Sequence, residues 1–213
     1  MNVVLLGPPG AGKGTHGSAL SRHLGLPHIS TGDLLREAIA AGNSVGHRVE
    51  SIVAEGRLVP DEIMAEMVRE RFQAPDTSGG CILDGYPRTL EQARMLETIL
   101  EELHRRLDRV LNLVVDDEEI VRRLSGRRVC EGCGALFHID NAPPRRAGRC
   151  DTCGGELSRR TDDDPEVVRR RMKVYRKSTE PLVAFYRAQE ILREIDAIGP
   201  VADVRERVLG AVA

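Results

Sequence analysis

Residues 2–15, NVVLLGPPGAGKGT, set narrower limits on the fold than any other stretch of the chain. Their apolar, β-branched opening enters glycines without polar alternation, as a strand buried on both faces of a parallel sheet does. Helical spacing begins near Lys13 and continues to Leu24, with Ala19, Leu20 and Leu24 on one side. A strand, a glycine-rich turn and a helix in that order are the context in which G-x-x-x-x-G-K-[ST] cradles phosphate. Around Gly10, Ala11 and Gly12 the backbone N–H groups turn inward on phosphate oxygens, the helix N-terminus adds partial positive charge, and Lys13 reaches the outer phosphates. The match is incomplete. Gly7, Gly12 and Lys13 fit, but Gly14 occupies the hydroxyl position and the first hydroxyl comes one residue late, on Thr15. A tight strand–helix turn with a solvated lysine is the plain alternative.

The alternation continues along the chain. GLPHIS is extended, and STGDLLREAI opens a helix capped by Ser30 or Thr31. Two short helices follow, broken at AGNS and EGRLVPDE, with Pro60 at a helix start. CILDGYPR (81–88) repeats the opening design, an apolar strand ending in an acid and a glycine. Further helices are expected over 90–103, 118–124, 165–188 and 201–212, with strands at RVLNLVV (109–115) and ILREID. This order predicts an α/β fold, a doubly wound parallel sheet whose strand ends share one ligand-binding face. Residues 126–164, rich in Gly, Cys, Pro and Arg, break the rhythm and read as an inserted module.

That module carries CEGC (Cys130, Cys133) and CDTC (Cys150, Cys153), two C-x-x-C knuckles with sixteen residues between them. The spacing suits a closed tetrahedral Zn²⁺ site, in which four thiolates leave no open position and the metal is structural. Iron in the same cage, or two disulfides, are the alternatives. Cys81 falls in an apolar strand and reads as core.

The strings GPPGAGKGT, STGDLLR, GRLVPDE, DGYPRT and GRRVC stand in this chain in the order and at the spacings of adenylate kinases. The long bacterial type is the nearest pattern, and the resemblance extends over essentially the whole chain. It implies in-line phosphoryl transfer from MgATP to AMP, giving two ADP. The implied ATP contacts are the loop (Gly10, Ala11, Gly12, Lys13, Gly14, Thr15), Arg123 stacked on adenine, Arg127 on the phosphates, and Leu136 and Phe137. The implied AMP contacts are Thr31, Arg36, Arg57, Leu58, Val59, Gly85, Tyr86, Pro87, Arg88 and Gln92, whose amide suits an adenine edge. Arg160 and Arg171 clamp the phosphoryl group between the nucleotides, and Lys13, Arg88, Arg127, Arg160 and Arg171 form the catalytic set. Asp33 and Asp84 match carboxylates that orient magnesium-bound waters, so Mg²⁺ needs no loop hydroxyl. Guanidinium forks fit this chemistry, which calls for alignment and dispersed positive charge and no covalent nucleophile. Two positions depart from the pattern. His16 replaces a usual glutamine and reads either as a group titrating near neutrality or as a solvent-facing residue; Thr161 replaces a common lysine.

The resemblance divides the chain into a core (1–30, 60–125 and 165–213), an AMP arm (31–59) and a zinc-bearing lid (126–164) that closes with ATP. The rival enzyme is a nucleoside-monophosphate kinase with another acceptor base or a GTP donor. A zinc-ribbon nucleic-acid-binding protein is the rival from another class, but a net charge of −2, three Tyr, three Phe and no Trp provide neither a basic groove nor stacking platforms. No apolar run approaches the length of a bilayer span. A cytoplasmic monomer, without nucleic-acid or membrane partners, is the expectation.

Overall fold

The computed structural model describes residues 1–212, apart from the side chain of Thr161, which lies outside the description. In chain order its strands are β1 (Asn2–Leu6), β2 (His28–Ser30), β3 (Cys81–Asp84), β4 (Arg109–Val114), β5 (Arg127–Cys130), β6 (Leu136–His138), β7 (Leu157–Ser158) and β8 (Leu192–Asp196). The helices are α1 (Lys13–Leu24), α2 (Thr31–Ala40), α3 (Ser44–Ala54), α4 (Asp61–Phe72), α5 (Leu90–Glu102), α6 (Asp117–Gly126), α7 (Pro165–Val174), α8 (Pro181–Ala188) and α9 (Val201–Gly210).

The five strands outside the insert form a parallel sheet in the order β2-β3-β1-β4-β8. In the centre, Val4 pairs with Leu83 on one side and Val110 on the other. All five residues of β1 are buried, which explains why the run lacks polar alternation. Val3 and Leu5 face a cluster with Leu20 of α1 and Val204 and Val208 of α9. Val4 and Leu6 face the opposite cluster, which holds Val68 of α4, Leu96 of α5 and Leu182 of α8. Burying each such side chain contributes about 1.5–3 kcal/mol. The neighbours of β1 lie on opposite sides of it, so the chain leaving its C-terminal end enters the crevice where a doubly wound sheet binds ligands.

The insert has a sheet of its own. β6-β5-β7 pair antiparallel, with Arg128 opposite Phe137 and Cys130 opposite Leu157. The expected helix over 165–188 is interrupted: α7 passes through a π-type turn, Tyr175–Thr179, before α8. Glu180 N–H donates to the Tyr175 carbonyl at 2.9 Å, five residues back, and Pro181 then lacks the N–H that would continue the ladder.

Candidate active site

The crevice loop is built by its glycines. Gly7, Gly10 and Gly12 take φ of 139°, 84° and 94°, and Gly12 ends the loop as the left-handed N-cap of α1, with no side-chain cap. The first turn of α1 therefore keeps N–H groups for an anion. Ala11 is fully buried and anchors the turn through its N–H to the Pro8 carbonyl at 3.1 Å. Lys13 Nζ donates to the Gly7 and Pro8 carbonyls at 2.8 and 2.9 Å. Desolvation lowers its pKa to about 8; Asp84 opposes the shift, while Arg88, Arg171 and Arg127 add to it. A Cβ on Gly14 would meet Asp84 Oδ2 and Leu136 Cδ1 at 3.7 Å each, ordinary contact, so packing does not impose glycine there. The same distances put β6 of the insert directly over the loop. Thr15 is exposed.

On the side of β2 and β3, α2 starts with Ser30 as N-cap, its hydroxyl accepting from Asp33 N–H at 3.3 Å. Thr31 is buried and donates to the Asp84 carbonyl at 3.2 Å. Asp33 accepts from Arg36 at 2.5 Å and lies 4.0 Å from Arg160. Its carboxyl is held below the usual range, because Arg36, Ser30 and Arg160 outweigh the desolvation that would raise it. Asp84 ends β3 and is 9% exposed. Gly85, at φ 81°, takes the turn that follows, and Arg88 Nε donates to its carbonyl at 2.8 Å.

Gln92 is buried, with Oε1 accepting from Arg88 N–H at 2.7 Å and Nε2 donating to Asp61 at 2.8 Å. One donor and one acceptor of its amide stay uncommitted. Thr31, Arg36, Arg57, Leu58, Val59, Arg88 and Gln92 line one cavity. Arg57 is otherwise exposed and paired with Glu55 at 2.7 Å. A second cavity is lined by Gly7, Lys13, Gly85, Pro87 and Tyr175. Arg88 and Arg171 wall both cavities. Tyr86 lines neither; it is 1% exposed and packs in the core beneath the turn.

The other arginines are held by acids and carbonyls. Arg123 donates to Glu119 at 2.7 Å, to the Ala11 carbonyl at 3.3 Å and to the Ala197 carbonyl at 2.7 Å, which fixes the plane of its guanidinium. Arg127 forks onto Asp163, a carboxylate with no exposed side-chain surface, and Arg171 bonds Asp162 at 2.7 Å. Arg160 keeps a buried Nε without a partner among the described residues. Burial together with Arg36 and Arg127 lowers its pKa to about 10, and burial together with Arg171 does the same for Arg88. Phe137 is half-buried and Leu136 is 39% exposed in β6.

The sequence reading of His16 requires correction. It is 4% exposed, and desolvation, Arg123 and Arg205 lower its pKa to about 4, so the ring is neutral and faces neither solvent nor a neutral-pH titration. The same reading missed Asp162, Asp163, Asp61 and Glu119, the acids that hold the arginines and Gln92. For Asp162, Asp163 and Glu119 the only signal was the interleaving of acids with arginines in SRRTDDDPE and DDEEIVRR; Asp61 stands in GRLVPDE, where it read as part of a helix start.

In the insert, the Sγ atoms of Cys130, Cys133, Cys150 and Cys153 lie within 4.8 Å of one another. Cys130–Cys153 and Cys133–Cys150 are 3.4 and 3.5 Å apart, far beyond an S–S bond of about 2.05 Å, so these are free thiols and the disulfide alternative falls. Bonds of about 2.3 Å to a central ion place tetrahedral sulfurs a little under 4 Å apart, and the four thiols fit such an ion. Cys81 is a core residue, with desolvation pushing its thiol up to about 11.

A glycine cradle at the switch point of a parallel sheet, faced by buried guanidinium groups, defines an α/β protein of the P-loop class. A family model described as Adenylate kinase matches residues 5–191. The chain belongs to the adenylate kinase family. An adenylate kinase of Archaeoglobus fulgidus is 48% identical over 98% of this chain and 96% of its own length. That of Salinispora tropica is 49% identical over 100% and 98%, and that of Thermosipho melanesiensis 47% identical over 100% and 99%.

Proposed function

We propose that the chain catalyses reversible transfer of the terminal phosphoryl group of ATP to AMP, giving two ADP, in the site just described. One observation carries the assignment of roles: Arg88 and Arg171 wall both the cavity at the cradle and the cavity at α2 and α3. A phosphoryl group passing between nucleotides in the two cavities stays in contact with fixed positive charge throughout. Gly10 to Thr15 and Lys13 hold the ATP phosphates, Arg123 offers its in-plane-bonded guanidinium as a stacking face for the donor base, and Leu136 and Phe137 cover it. Thr31, Arg36, the chain at Arg57, Leu58 and Val59, the turn at Gly85 and Pro87, and Gln92 hold AMP, with Arg88 on its phosphate. Tyr86 contributes by packing under that turn.

Asp162 and Asp163 occupy Arg171 and Arg127 as a phosphate would. Nucleotide phosphates compete for these forks, and Arg160, which lacks such a partner for Nε, is the most readily recruited. Asp33 and Asp84 offer hard oxygen acceptors beside the cradle, which suits waters held by Mg²⁺; the ion neutralises charge developing on the phosphates. The cysteine site fits structural Zn²⁺ and ties together the knuckles of the insert. Residues 31–59 act as the AMP arm and 126–164 as a lid whose closure excludes water. No helix among the described residues is long and apolar enough to cross a membrane. A cytoplasmic monomer without nucleic-acid partners is part of this reading.

A steady-state panel tests it. ATP or GTP is offered with AMP, GMP, CMP, UMP or no acceptor, and formation of each nucleoside diphosphate is followed. ATP with AMP is expected to be the best pair, with hydrolysis in the absence of acceptor far slower. A better acceptor than AMP, or a better donor than ATP, would replace this reading with that of a related monophosphate kinase. ATPase at the kinase rate would remove the lid's proposed role.

A further inference from the structure

His28 opens β2, and nothing above gives it a role. Its Nε2 lies 3.6 Å from Asp84 Oδ2, with side-chain exposures of 15% and 12%. On the other edge of the ring, Nδ1 lies 3.5 Å from the Ser18 hydroxyl, which itself donates to the Gly14 carbonyl at 2.9 Å. Nε2 has no hydrogen-bond partner among the described residues, although it is buried. Ser18 spends its one hydroxyl proton on Gly14, so both edges of the ring face an acceptor; the anionic carboxylate is the stronger one and favours the proton on Nε2.

The space for this ring is built into α1. A Cβ on Gly17 would come within 2.5 Å of His28 Nε2 and 2.8 Å of Cδ2, so any larger residue there displaces the imidazole. Glycine in a helix interior weakens the helix relative to alanine, and α1 bears that cost at Gly17. The ring thus lies between the helix that starts at the phosphate cradle and the carboxylate at the end of β3. Oδ2 of that carboxylate also faces Gly14, at 3.7 Å from the point a Cβ would occupy.

We propose that His28 is a positioning residue for Asp84: its Nε2–H restrains the carboxylate so that its oxygens stay turned to the cradle as acceptors for magnesium-bound water. The proposal rests on the reading of Asp84 as a water-orienting group. Restraint of this kind around a metal's surroundings is commonly worth about ten-fold or more in metal-dependent affinity.

The test is the calorimetric affinity for ATP with and without Mg²⁺ in four proteins: wild type, His28→Leu, His28→Gln and Asp84→Asn. Glutamine can bring an amide N–H to the place of Nε2, whereas leucine fills the space without a donor. His28→Leu is expected to lower the magnesium-dependent gain in affinity about ten-fold while metal-free ATP and AMP bind as in wild type. His28→Gln should stay within about two-fold of wild type. Equal losses in His28→Leu and His28→Gln, or none in either, overturn the proposal if Asp84→Asn itself loses the gain. An intact gain in Asp84→Asn instead removes the underlying reading of Asp84. Should His28→Leu fail to fold, ¹⁵N spectra of the wild-type imidazole decide. A proton on Nε2 supports the proposal, and a bare Nε2 with the proton on Nδ1 refutes it.

Discussion

Lys13 joins the charge of the site to its pH response. Its folded-state pKa of about 8 lies below the ordinary 10.5, so between those values the folded chain holds fewer protons than the unfolded one. Its burial as a cation costs stability below pH 8, and that cost is relieved as pH rises toward 10.5. Phosphate reverses the shift by favouring the charged amine. At pH 9, ATP binding should therefore take up close to one proton, measured by calorimetry in buffers of different ionisation enthalpy, and Lys13→Met should abolish the uptake. The same variant should lower turnover by about 10²–10³-fold while its unfolding transition stays intact.

His16 acts with the same sign in a more acid window. Its folded pKa of about 4 lies below the unfolded 6.5, so the unfolded state binds the extra proton between these values and stability falls as pH drops through that window. The contribution reaches about 3 kcal/mol at the acid end. His16→Gln should flatten the pH dependence of denaturant stability between pH 6.5 and 4; an unchanged profile would assign the acid loss to other groups.

What could be read from single residues followed the same physics. Gly12 and Lys13 were legible because the cradle needs their backbone freedom and charge in a fixed order. The burial of His16 was hidden, since a polar residue in a first helical turn ordinarily faces water; its spacing of four from the buried Leu20 was the one available clue. Asp162 and Asp163 were hidden because acids among arginines read as a solvated face. Their pairing depends on the path that carries Arg127 of β5 and Arg171 of α7 to the same turn.

Among the elements, the cysteine insert was the clearest in function and the least clear in form. Ligand spacing is a local property, so the two knuckles could be read directly. The β6-β5-β7 pairing could not, because its strands are two to four residues long and show little alternation. Metal binding to such a module is coupled to its folding. Cys130→Ser, or removal of metal by a chelator, should lower the thermal midpoint by about 10 °C or more while the core keeps its far-ultraviolet signal. A variant with full stability but no turnover would show the metal to be catalytic. The interruption of the 165–188 helix had a signal, Pro181, whose missing N–H ends a ladder, but the π-type turn before it depends on tertiary packing.

In the molecule as a whole, sheet order, cradle and guanidinium groups converge because β1 is central. Its neighbours β3 and β4 feed Asp84 and Arg88 to one side of the crevice and α6 with the insert to the other. The alternation of strand and helix made the parallel sheet legible, and the ordered strings made the family legible. The approach of the insert to α1 and α2, marked by Leu136 over Gly14 and Arg160 near Asp33, was not legible, because it joins segments more than a hundred residues apart. This convergence underlies the central claim that the phosphoryl group passes directly from one nucleotide to the other, with no protein nucleophile between them. The stereochemical course at phosphorus tests that claim most directly, using ATP made chiral at its γ-phosphorus with AMP as acceptor. A single in-line transfer predicts inversion of configuration, and retention would contradict the account by requiring a phosphorylated-protein intermediate.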